Sequence, residues 1–80
     1  MGIANRSELI RTLQATRVRP SAYSVSGPED MALCLKEVRP NWEVFYFERG
    51  GKTFSKIFPT EAEACEYMYQ ELMGDNTAFM

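Results

Sequence analysis

The chain has 80 residues, with 9 Lys and Arg against 11 Asp and Glu, a net charge of -2, 45% hydrophobic residues and no His. That length makes one domain over residues 1–80, and the hydrophobic content excludes a disordered chain. The acidic balance speaks against a general nucleic-acid binder, whose affinity rests on phosphate contacts; the missing His removes the usual general base and the commonest metal ligand.

Cys34 and Cys65 are the only cysteines. Two thiols cannot complete a four-ligand zinc site in one chain, so no metal or cofactor is expected. No apolar run approaches the about 18 residues of a membrane span, and Met1 to Ser7 lacks the apolar core of a signal peptide. The expected compartment is the cytoplasm, with both thiols reduced.

In chain order, the first element is a helix. Asn5 can cap it and Glu8 sits at its third position, a capping-box arrangement. Leu9, Ile10 and Leu13 recur at helical spacing, and Val18-Arg19-Pro20 ends the pattern. Turn signals follow at Ser26 to Asp30, Arg39-Pro40-Asn41 and Arg49-Gly50-Gly51. They separate runs that suit strands: Ala22–Val25, Met31–Val38, Trp42–Glu48 and Lys52–Phe58. Short connections imply antiparallel hairpins, and the Gly-Gly pair can supply positive backbone angles in the last turn.

The final helix starts at the capping box Thr60-Glu61-Ala62-Glu63. Ala62, Cys65, Met68, Tyr69 and Leu72 form its apolar stripe, Gly74 occupies the place of a left-handed cap, and residues 75–80 read as a loose tail. The predicted fold is α+β: a three- to four-stranded antiparallel meander with both helices on one face, in the order α-β-β-β-β-α.

Nothing here reads as an enzyme. Carboxylates are plentiful, but so small a core leaves little room for a cleft, and no nucleophile and base are paired in a motif. Both cysteines read as small buried apolar groups.

Two surfaces carry more information. Glu63, Glu66, Tyr67, Gln70 and Glu71 share a stripe on the last helix, where five acids occur without a base between Thr60 and Asp75. That pattern suits an acidic surface with one aromatic anchor, aimed at a basic partner. The strand Trp42–Glu48 is aromatic on both faces: Trp42, Val44, Tyr46 and Glu48 alternate with Glu43, Phe45 and Phe47. Either long side chains shield its second face or that face is a contact surface, through Glu43 on one side or Tyr46 and Glu48 on the other. Arg6, Arg11, Arg17 and Arg19 make a small basic region near the N-terminus, weak as a nucleic-acid signal.

Taken together, Tyr23-Ser24, the Trp42-Glu43-Val44-Phe45-Tyr46 core, Glu48-Arg49-Gly50 and the Glu61-Ala62-Glu63-Ala64-Cys65 helix start resemble a family of small bacterial immunity proteins. These are encoded beside polymorphic toxins of the contact-dependent inhibition or Rhs type. The resemblance covers roughly residues 9–73, with Phe47 bulkier than the residue the pattern has there. It implies a protein partner, a cognate toxin domain whose active site or substrate-access surface the chain covers. No membrane partner and no small-molecule substrate is expected. The alternative is a small α-β-β-β-α RNA-binding module, which would want Lys where the final helix begins with Glu61 and Glu63.

Overall fold

A computed structural model describes residues 3–74; the tail expected at 75–80 lies outside the described residues. Helix α1 spans Arg6–Ala15, strands β1 to β4 span Tyr23–Ser24, Ala32–Val38, Asn41–Glu48 and Gly51–Phe58, and helix α2 spans Glu61–Met73. The sheet order is β1-β2-β3-β4. The fold is the expected α+β arrangement, and no described helix is long and apolar enough to cross a membrane.

Both helices are capped as the sequence dictates. Asn5 Oδ1 accepts from Glu8 N at 3.0 Å, and Glu8 Oε1 accepts from Ala4 N at 2.9 Å, one residue ahead of the cap. Thr60 Oγ1 accepts from Glu63 N at 3.2 Å. The helix ends differ from expectation. α1 stops at Ala15, well before Pro20, because Arg17 turns left-handed with φ of 67°. Val18 N then reaches Leu13 O at 3.2 Å and Arg17 N reaches Gln14 O at 3.4 Å. These two bonds, with buried Val18 beside buried Leu13, make a Schellman motif built on Arg rather than Gly. Gly74, expected to be left-handed, is right-handed with φ of -86°, and α2 ends on a bond from Gly74 N to Gln70 O.

β2, β3 and β4 form the antiparallel meander. The β3–β4 turn places its positive φ values at Arg49 (54°) and Gly50 (78°), so Gly51 already belongs to the strand. β1 departs from the meander: it runs parallel to β2, with Tyr23 opposite Leu33 and Ser24 opposite Cys34. A parallel neighbour needs a crossover. Residues 25–31 supply it, passing Glu29 O within 3.7 Å of Cys34 Sγ.

Both helices pack on one face of the sheet. Leu9 and Leu13 of α1 and Cys65, Met68 and Leu72 of α2 join Leu33, Leu35 and Val44 in the main core. Within α2, Ala64 is buried and Ala62 is exposed, the reverse of the expected stripe, while Tyr69 is half-buried. The core centres on the Ala64–Cys65–Met68–Leu72 side of the helix, which turns Ala62 outward. Arg6 ties the layers together: its Nε lies 3.2 Å from Glu61 Oε2 and its guanidinium 5.0 Å from the Trp42 ring centre. A second, small cluster of Ala32, Cys34 and Phe45 lies on the other face of the sheet.

Candidate partner-binding surface

The second face of β3 is shielded by long side chains. Phe45 is fully buried, with Lys52 Nζ 4.8 Å from its ring centre and the Phe47 ring edge-on at 6.4 Å. Glu43 is 6% exposed and bound by Lys52 Nζ at 2.8 Å. Burial pushes its carboxyl up, but hydrogen bonds from Lys52 and Ser55 and the charges of Lys52 and Lys36 outweigh that and hold it below the usual range. Glu43 is therefore a structural carboxylate of the sheet. Glu48 ends β3 half-buried, opposite Gly51.

The acidic residues of α2 fall into three environments. Glu66 is half-buried and accepts from Ile3 N at 3.0 Å, so it anchors the N-terminal segment. Glu63 is exposed, but its Oε2 also accepts from Thr60 Oγ1 at 3.2 Å within the cap. Gln70 and Glu71 are exposed. Tyr67 leans toward β4, its ring 5.2 Å from that of Phe58, with Lys56 Nζ 5.3 Å above its centre. Burial, then the charge of Glu71, push its phenol up. The stripe is less unbalanced than its sequence implies, because Arg6 and Lys56 arrive from other elements.

The stripe borders a feature invisible in any one segment. An open groove of about 640 Å³ lies between the C-terminal half of α2, β3 and the residues before β2. Leu33, Tyr46 and Leu72 line it together with Met31, Phe54 and Glu71. Met31 is 59% exposed and Phe54 is 38% exposed, large apolar areas for so small a domain. Two hydrogen bonds hold the groove's wall before β2. Asp30 Oδ1 accepts from Arg49 N at 2.9 Å, joining the β1–β2 crossover to the β3–β4 turn, and Met31 N donates to Phe47 O at 2.8 Å.

Of the eight expected contact residues, the groove brings together Tyr46 and Glu71, with Tyr67, Gln70 and Glu63 continuing along the helix beside it. Glu43, Glu48 and Glu66 lie apart. Met31 and Phe54 were not anticipated. Phe54 shares its alternation with Lys56 and Phe58, which hinted at its face, but Met31 carries no sequence signal because a positive φ of 61° turns it there. Compared with known proteins, the chain matches no family model, no curated protein and no solved structure.

Proposed function

We propose that this chain is an immunity protein that binds a cognate bacterial toxin domain in the cytoplasm and neutralises it by covering its active site or substrate-access surface. The observation that carries the proposal is the groove: exposed Met31 and Phe54 with Tyr46 form an aromatic and apolar centre, Asp30 and Glu71 line it with Arg19, and exposed Gln70 and Glu63 extend a polar, acidic rim along α2. An apolar anchor inside a polar rim is the anatomy of a protein–protein interface. The sequence resemblance gives the partner's class. A toxin acting on RNA or nucleotides would present a basic cleft, and the acidic rim would speed its capture. Inhibition of this kind asks for a stable surface and no catalytic group of its own.

The RNA-binding alternative meets an electrostatic obstacle. Glu61 and Glu63 occupy the first turn of α2, where a phosphate would otherwise gain from the helix dipole. The test is growth rescue. The toxin domain encoded by the neighbouring gene, induced alone, is expected to arrest growth, and co-expression of this chain to restore it. Arrest that persists in the presence of soluble chain would refute the proposal.

A further inference from the structure

The two edges of the sheet are unequal. β1 offers two residues beside its crossover, whereas β4 offers eight, about 26 Å at about 3.3 Å per residue. Every residue from Gly51 to Ile57 is exposed. An open edge of this length is usually blunted by outward-pointing lysines or by a bulge. Both β4 lysines instead turn back onto their own chain, Lys52 over the sheet onto Glu43 and Phe45, Lys56 onto Tyr67 of α2. The irregularity lies at the turn end, between Tyr46 and Phe47, and leaves Phe54–Phe58 regularly paired to β3.

We propose that β4 pairs antiparallel with β4 of a second copy of this chain, in a register centred on Ser55, to give one continuous eight-stranded sheet. A two-fold axis normal to the sheet keeps each copy's faces aligned, so the register must centre on a residue. Centring on Lys56 sets two lysines side by side, and like charges directly opposite destabilise a strand pair. Centring on Phe54 brings the β4 irregularity, at Lys52 and Thr53, next to the axis of the pair. Centring on Ser55 avoids both: a small polar residue meets itself on the axis, and each Lys56 stem lies beside Phe54 of the other copy. Ile57, 54% exposed, is then set beside Thr53. The strand is thus complementary to itself in the register centred on Ser55. The strand pair does not rest on the immunity proposal, and Phe54 is the residue that it shares with the groove.

Sedimentation equilibrium of the full chain, from micromolar to near-millimolar concentration, tests it. The expected mass moves from one chain toward two. Phe54→Lys places a lysine opposite Lys56 twice in the dimer and should weaken it about tenfold, with the far-ultraviolet circular dichroism unchanged. Ser55→Cys should cross-link rapidly under mild oxidation, because Cys34 and Cys65 are buried and the new thiols meet on the axis. Lys36→Cys, exposed on another strand, is the control for random collision. A mass of one chain at every concentration overturns the proposal. So does a two-chain mass in which Ser55→Cys cross-links no faster than Lys36→Cys.

Discussion

Glu43 carries the most consequential single charge in the sheet. It is nearly buried, and Lys52 and Ser55 hold it ionised against the pull of desolvation. A carboxyl depressed on folding stabilises the native state above its unfolded pKa and loses that contribution as pH falls through the folded value. Glu43→Gln should therefore cost about 1–3 kcal/mol near neutral pH. The difference from wild type should shrink below about pH 4.3, the ordinary glutamate value, and vanish in stronger acid. Urea unfolding across pH reads this directly; a constant difference would assign the loss to packing. The two thiols sit on opposite faces of the sheet, Cys65 in the main core and Cys34 in the small cluster. Burial and the charges of Glu61 and Glu66 outweigh Arg6 and push the Cys65 thiol up to about 11, and burial raises Cys34. Both should resist a disulfide reagent at neutral pH until the domain unfolds, and Cys34→Ala with Cys65→Ala should retain partner binding. Rapid labelling of the folded chain would contradict this placement.

Each helix shows a different balance of local and tertiary control. α1 closes on Arg17 in a conformation that disfavours side chains other than Gly by about 1–2 kcal/mol. Arg17→Gly should thus stabilise the domain by about 0.5–1 kcal/mol, seen as a raised denaturant midpoint with an unchanged slope. A lowered midpoint would mean that the Arg17 side chain contributes more than its backbone strain removes. α2 depends on its buried side. Leu72 is 3% exposed and faces both the core and the groove. Leu72→Ala should cost about 2–5 kcal/mol, comparable with the about 3–5 kcal/mol total typical of a core this small, so thermal unfolding should begin near room temperature. A melting shift of a degree or two would place Leu72 outside the core.

The strands β2 to β4 and both helix starts were legible in the sequence, because alternation, turn residues and capping boxes are local signals. The Trp42 and Cys65 faces followed from the same periodicities. What escaped was non-local. The parallel pairing of β1 depends on how residues 25–31 cross the sheet, and the α1 end depends on Arg17 tolerating a backbone that Gly would have advertised. The groove needs Met31, Tyr46, Phe54 and Leu72 from four parts of the chain, and the charge balance of α2 needs Arg6 from α1 and Lys56 from β4.

At the scale of the whole molecule, an aromatic centre beside an acidic rim divides the work of binding. Rim charges set the rate of encounter and buried anchors set the lifetime of the complex. The most direct measurement is the binding kinetics of the purified chain with the toxin domain of the neighbouring gene, at low and high salt. A tight complex is expected, with an association that slows as salt rises. Glu63→Gln with Glu71→Gln should slow association and flatten that dependence, and Tyr46→Ala with Phe54→Ala should speed dissociation by about tenfold or more. No complex at any salt, or a complex indifferent to both pairs of substitutions in folded protein, would contradict it.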